Sequence, residues 1–483
     1  MSLLRLAETL PAALPGTAIA LPLVAKAALP PEWRPLAKAS GFKREPGKAT
    51  LAITGEGVRL LLDVGTDAAT ARAAGAAAVA ALIDSGLGEA IDTLILDARA
   101  LAPAAALALA EGAALRAWRF DRYRTRPDRA EAAPPGTILV LAEPAELGAD
   151  WPALQARLAG VTFARDLVTE PANILTPAEF VARLAPLRAA GVAVRVLGPA
   201  ALARAGCGAL LAVGQGSVHA PCLTVLRWPG TGAAARLAPV AFIGKGLTFD
   251  TGGICIKPAA GMEAMRADMA GAAACAGAML SLALRRAPHP AVAVLALAEN
   301  ATGAASYRPG DVLRSAAGRT IEVVDTDAEG RLALADALAF AAKTLRPCAM
   351  IDLATLTGAI VTALGHETAG LFANHDALAE TIVEAGASVG EKVWRMPIGE
   401  AHRADLASDI ADLRNCLSGR LLPDASHAAA FLREFAASLP WAHLDIAGVE
   451  AKETATEQHA AGATGFGVRL LDALMTRIAE AGL

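Results

Sequence analysis

Two short stretches crowd chargeable side chains among glycine, alanine and methionine. In VDTDAEGRL, residues 324–332, Asp325, Asp327, Glu329 and Arg331 fall at every second position. In AFIGKGLTFDTGGICIKP, residues 241–258, stand Lys245, Asp250 and Lys257, and Asp268 follows in MRADMAGAA. A strand-to-helix junction calls for one capping carboxylate, not three. An isolated ionised group is too costly to bury, so a cluster of this kind needs compensation. Bound metal is one solution. Asp250, Asp268, Asp327 and Glu329 bring about four negative charges, which two divalent cations would balance. Paired metals suit hydrolysis, because they activate a water and clamp the oxygens that gain charge. The competing reading is a salt-bridge network at a domain junction. Residue types alone leave both open.

The elements around these residues place them. Short apolar runs (VAVRVLG, CLTVLRW, VAFIGKGLTFD, AVAVLALAEN, TIEVVD, AMIDLATL, AHLDIAG) alternate with alanine-rich helical runs. That alternation predicts an α/β fold, with a mostly parallel sheet flanked by helices. Ligands then collect at the carboxyl ends of the strands, where both charged stretches are expected. The alternation in VDTDAEGRL would aim its side chains at one site. Asp268 is expected in the first turns of a helix.

A smaller α/β domain is expected upstream. ATLAI-TGEG-VRLLLDVG reads as a hairpin, TARAAGAAAVAALIDSG as a helix, and TLILDA and TILVLAE as buried strands. The boundary falls within 150–170, giving an N-terminal domain of 1–160 and a C-terminal domain of 161–483. WRFDRYRTRPDRAEAAPPG reads as a charged surface loop.

The chain has 483 residues, 54% hydrophobic and 19% charged, a globular composition with ample core. A net charge of −4 gives no general basic surface, so nucleic acid is not an expected partner. Six cysteines without a CxxC pair argue for a reduced compartment and against a thiolate zinc site. The apolar N-terminus has a thin positive region, an early Glu8 and recurring prolines, unlike an export signal. No uncharged apolar run suits a membrane span. A cytoplasmic protein is the expectation.

GKGLTFDTGGICIKP, MRADMAGAA, DTDAEGRLALADAL, DLATLTGA and WAHLDIAG, in this order and spacing, resemble the signature blocks of the leucyl aminopeptidases, or cytosol aminopeptidases. The resemblance runs from about residue 165 to the end. It implies that Lys245, Asp250, Asp268, Asp327 and Glu329 hold two metal ions, with Asp250 and Glu329 serving both. Zn or Mn is expected, with Mg or Co also compatible. It implies further that Lys257 stabilises the oxyanion. Arg331 would hold a bicarbonate ion that acts as general base. The pocket for the N-terminal side chain would involve Met265, Asp325, Thr355, Leu356, Gly358 and Ala447. Peptides beginning with Leu- or Met-like residues are the implied substrates, and a homohexamer the implied assembly.

Four positions depart from the family pattern. Asp325 stands where Asn is usual, Arg266 replaces Lys, and Cys255 replaces Ser. SHAAAFLREF lacks the usual small-residue lead-in. These bear on specificity. A narrow dipeptidase, such as one for Cys-Gly, and a nucleic-acid-binding protein on the same scaffold are the alternatives. GASVG at 386–390 matches a nucleophile-elbow pattern in the wrong context, with Gly386 read as a helix stop. His443 reads as a buried structural histidine.

Overall fold

The computed structural model describes residues 3–10, 16–25, 27–54, 57–87, 90–125, 133–419 and 422–481. Two compact units emerge: Met1–Leu158 with Lys452–Gly462, and Ala159–Ala451 with Ala463–Leu483.

The first unit is built on β1 (Leu4–Ala7), β2 (Thr17–Val24), β3 (Ala49–Thr54), β4 (Gly57–Gly65), β5 (Thr93–Asp97) and β6 (Thr137–Leu141), in the order β1-β6-β5-β2-β4-β3. All pairs are parallel except the β3–β4 hairpin. The hairpin's Gly55 and Glu56, and residues 126–132 of the charged stretch, lie outside the described residues. The apolar N-terminal run contains β2, which pairs with β4 on one side and β5 on the other. Helices α1 (Ala68–Asp84) and α2 (Pro103–Arg116) complete the core. The excursion at 452–462 belongs to this unit: the Arg116 Nε donates to the Thr456 carbonyl at 3.0 Å, and Lys48 pairs with Glu457. Helix α3 (Asp150–Thr169) carries the chain into the second unit.

The second unit holds an eight-stranded sheet of β7 (Ala193–Leu197), β8 (Cys222–Trp228), β9 (Val240–Asp250), β10 (Ala291–Asn300), β13 (Ala349–Ala354), β14 (Ala369–Ala373), β15 (Val393–Arg395) and β17 (Trp441–Asp445). Its order is β15-β14-β17-β13-β9-β10-β8-β7. The central strands β17, β13, β9 and β10 run parallel, as strands buried on both faces do, and antiparallel pairs lie toward the edges. TIEVVD departs from expectation. Only Thr320–Glu322 is extended (β12), in a small separate sheet between β11 (Val312–Arg314) and β16 (Leu413–Arg414).

Helix α4 (Ala270–Leu284) is almost wholly apolar and is buried from Ala270 through Ala283. Met262–Leu284 has the length and composition of a membrane span, but 89% of an 18-residue apolar window within it is buried inside the protein. Its close seat on the sheet depends on small residues. A Cβ on Gly271 would sit 2.0 Å from the Leu353 carbonyl oxygen, and one on Gly244 2.5 Å from the Ala272 Cα. The helix start, and Asp268 just before it, are thereby pressed against the middle of β9 and the end of β13. Three further helices frame the site: α5 (Glu329–Phe340), α6 (Gly358–Leu364) and α7 (Asp424–Arg433). Helix α8 (Val468–Ala481) closes the unit.

The GASVG match dissolves in the structure. The helix Asp376–Val389 continues through Gly386 and stops at Gly390, whose φ of 75° is left-handed. A nucleophile elbow would need a strand there.

Candidate active site

Lys245, in the middle of β9, is buried among acids. Its ammonium lies 2.8 Å from Asp268 Oδ1 and 3.0 Å from Glu329 Oε1, and donates to the Thr355 carbonyl at 2.9 Å. Asp250 ends β9. Its Oδ1 accepts from the Gly252 amide at 2.9 Å and from Asn300 Nδ2 at 2.7 Å, and its Oδ2 lies 2.8 Å from the Lys257 ammonium. Lys257 also pairs with Asp327. Gly252 and Gly253, at φ of 83° and 65°, turn the chain back after β9 in a conformation that favours glycine. This return brings Lys257 to the cluster.

Asp268 caps the short 3₁₀ turn Met262–Ala267 and precedes α4, so it sits just outside the α-helix rather than in its first turns. Its Oδ1 accepts from the Thr355 hydroxyl at 2.7 Å. Asp327 lies in the turn after β12, and Glu329 is the first residue of α5. The every-second-residue pattern is therefore not extended strand but a turn running into a helix. Asp325 has a local task there: its Oδ1 accepts from the Asp327 amide at 2.8 Å. Asn415 fixes the same turn, donating to the Asp325 carbonyl at 2.6 Å and accepting from the Val324 amide at 2.8 Å.

Ligand atoms of Asp250, Asp327 and Glu329 all lie within 4.8 Å of one another. Two buried carboxylate oxygens of the cluster, Asp268 Oδ2 and Glu329 Oε2, have no hydrogen-bond partner. Four carboxylates face only two ammonium groups. Burial pushes the Asp327 carboxyl up to about 7, aided by Asp250 and Glu329 and opposed by Lys257. Burial likewise raises Asp268 and Glu329. It works against the charged form of Lys245, but Asp268, Glu329 and Asp250 outweigh it and hold that ammonium protonated. Such oxygen-rich, under-compensated geometry fits divalent cations.

Arg331 is buried in the first turn of α5. Nη1 donates to the Asn415 carbonyl at 3.1 Å, Nη2 donates to Asp424 Oδ1 at 2.9 Å, and the buried Nε has no partner. Thr355 and Leu356 follow β13, and Gly358 opens α6. One buried carboxylate, Asp445, accepts from the Leu356 amide at 3.0 Å, the Ala447 amide at 3.3 Å and the Thr357 hydroxyl at 2.7 Å. Leu356 and Ala447 are thus held side by side. Met265 belongs to the 3₁₀ turn and accepts at its carbonyl from the Asp268 amide at 3.2 Å. His443 is fully buried, with Nδ1 at 2.5 Å from Asp352, whose other oxygen accepts from Trp441 Nε1 at 2.7 Å.

Sequence reasoning missed Asn300, Thr326, Tyr307, Asn415, Asp424 and Asp445. Asn300 pairs in register with Asp250 at the end of β10. The Thr326 hydroxyl donates to the Gly252 carbonyl and accepts from the Cys255 amide, and its carbonyl accepts from the Tyr307 hydroxyl. A polar residue closing the apolar run ALAEN was the one signal available for Asn300.

Hard-cation oxygen donors gathered at strand ends beside a lysine ammonium suit a metal-dependent hydrolase. Residues 162–472 match the family model described as "Cytosol aminopeptidase family, catalytic domain". A probable cytosol aminopeptidase of Gluconobacter oxydans is 46% identical over 439 residues, covering 89% of this chain and 88% of the relative. One of Caulobacter vibrioides is 47% identical over 406 residues, covering 83% and 80%. Among solved structures, the bottromycin maturation enzyme BotP in complex with Mn is similar, with a TM-score of 0.84 at 35% identity over 95% of this chain and 99% of that one. The chain belongs to the cytosol aminopeptidase family. It is a leucyl aminopeptidase-type hydrolase, metal-dependent and acting on peptides.

Proposed function

We propose that the protein removes single N-terminal residues, preferentially Leu- or Met-like, from peptides, with two divalent ions held by Lys245, Asp250, Asp268, Asp327 and Glu329. The observation that carries this reading is the buried imbalance of four carboxylates against two ammonium groups, with two carboxylate oxygens left unpartnered. When bound, the ions would supply Lewis acidity that lowers the pKa of a water and polarises the scissile carbonyl. Lys245 would lose its proton to become a ligand. Lys257, paired with Asp250 and Asp327, would stabilise the developing oxyanion, with those carboxylates holding metal in its place. Arg331 would hold the planar anion that carries the proton, a place the family resemblance gives to bicarbonate. Met265, Asp325, Thr355, Leu356, Gly358 and Ala447 would receive the N-terminal side chain; Thr355 bonds to Lys245 and Asp268 of the cluster, and Asp325 holds the Asp327 amide.

Zn or Mn is the metal proposed, and the Mn-bound relative supports Mn as the first to test. Mg and Co suit the same donors. The proposed setting is a cytoplasmic homohexamer. Purified protein loaded with Mn or Zn should hydrolyse leucine p-nitroanilide, and chelation should abolish this. No turnover across a panel of N-terminal residues would refute the reading.

A further inference from the structure

Arg331 already grips an anion of its own chain. Asp424 opens α7, and its Oδ1 lies 2.9 Å from Arg331 Nη2. The arginine is almost fully buried, whereas the Asp424 side chain is 41% exposed, so this carboxylate reaches from a buried guanidinium to solvent. Arg331 follows Glu329 by two residues in the same helical turn. Arg331 Nη1 also donates to the Asn415 carbonyl, and Asn415 Nδ2 donates to the Asp325 carbonyl, so the guanidinium that holds Asp424 is tied to the turn that carries Asp325 and Asp327. A carboxylate is planar and pairs with guanidinium as bicarbonate does.

We propose that Asp424 is the base held by Arg331, a built-in carboxylate in the place where the family resemblance puts external bicarbonate. The inference rests on the reading of Arg331 as the holder of the base. Oδ1 stays on Nη2. Oδ2 takes a proton from the attacking water as its oxygen bonds to the scissile carbonyl carbon. The same proton then passes to the leaving nitrogen as the C–N bond breaks, and Asp424 returns to the carboxylate. One water is added across one peptide bond.

The test titrates sodium bicarbonate into metal-replete, CO2-depleted protein, read by calorimetry and by the shift in Tm, with leucine p-nitroanilide turnover alongside. Wild type should show no binding and no change in turnover. Asp424→Ala should lose about 10²-fold in turnover, bind bicarbonate, and recover at least part of the loss as bicarbonate is added. Asp424→Ala with Arg331→Met should bind none. Bicarbonate that binds wild type and raises its turnover overturns the proposal, as does an Asp424→Ala variant with wild-type turnover in CO2-free buffer. If wild type hydrolyses no peptide substrate, the aminopeptidase reading fails, and the binding arm still decides whether Asp424 fills the anion position.

Discussion

Gly330→Ala should weaken one metal position without removing any ligand. A Cβ on Gly330 would lie 2.6 Å from Lys245 Cε and 2.8 Å from its Cδ and Nζ. Carbon contacts settle at about 3.5–4.0 Å, so the lysine tip must retreat by about 1 Å. A lysine is normally free to do so, but this one is tied to the Thr355 carbonyl at 2.9 Å, Asp268 at 2.8 Å and Glu329 at 3.0 Å. A retreat of that size breaks at least one charge-assisted hydrogen bond, worth about 1.5–3 kcal/mol. Carried into ligation, this predicts about a 10–100-fold loss of affinity at the position Lys245 serves. The helix itself gains up to about 1 kcal/mol from alanine, so the metal-free fold should survive. Competition against a chromophoric chelator resolves the two ions. The ion held by Asp327 should keep its affinity within about threefold, well inside one tenfold step. Wild-type affinity at both positions would refute lysine ligation and leave Lys245 a mere counter-ion.

Metal uptake near neutral pH should release protons, since Lys245 is held charged and Asp327 is raised to about 7. Apparent affinity should therefore climb with pH, and a weakly buffered titration with no acidification would contradict it. Asp325→Asn should keep leucine turnover within about threefold of wild type, because an amide oxygen can accept from the Asp327 amide as the carboxylate does, whereas Asp325→Ala loses that bond, about 1 kcal/mol, and with it metal affinity. Equal behaviour of the two variants would dismiss the turn role. Asp336 accepts from the Leu210 and Ala316 amides at 2.8 and 2.7 Å, yet burial pushes its carboxyl up to about 7. The folded state holds this proton more tightly than the unfolded chain, so stability should fall by up to about 4 kcal/mol as pH rises from about 4 to 7. Urea unfolding across that range should show a flatter profile for Asp336→Asn, and parallel profiles would refute the assignment. Asp352→Ala strips a buried partner from His443 and Trp441 and should lower stability by about 3–5 kcal/mol while sparing metal binding. An unchanged Tm would be the contrary result.

The chemistry was legible where it is local. Lys245, Asp250 and Lys257 lie on one strand and its return loop, and the residue types around them declare a charged site. What supports them is not local. Asn300 reaches Asp250 only through strand register, and Asn415 and Asp424 reach Arg331 from more than eighty residues away. Nothing in NCLSGRLLPDAS marks an asparagine that clamps a distant turn. The regular alternation in VDTDAEGRL suggested strand, but β12 has only three residues and the acids lie on a turn and a helix start. At Gly386, helix propensity in the surrounding alanines overrode a glycine taken for a stop, and the helix ran on to Gly390. The mostly parallel sheet followed from run lengths and buried, β-branched composition. Its antiparallel flanks, set by long-range pairing, did not.

The excursion at Lys452–Gly462 bears on how the chain is made. The N-terminal unit includes residues from near the far end of the sequence, among them the Thr456 carbonyl that accepts from Arg116 and the Glu457 that pairs with Lys48. A ribosome adds about 5–20 residues per second, so the first 158 residues wait roughly 15–60 s for that segment. During this interval the six-stranded sheet is complete but the unit lacks its last segment, and the Arg116 side chain lacks its carbonyl. The first unit to be synthesised is therefore among the last to be finished. A break in translation after residue 451 would leave both units short, the first without Lys452–Gly462 and the second without Ala463–Leu483.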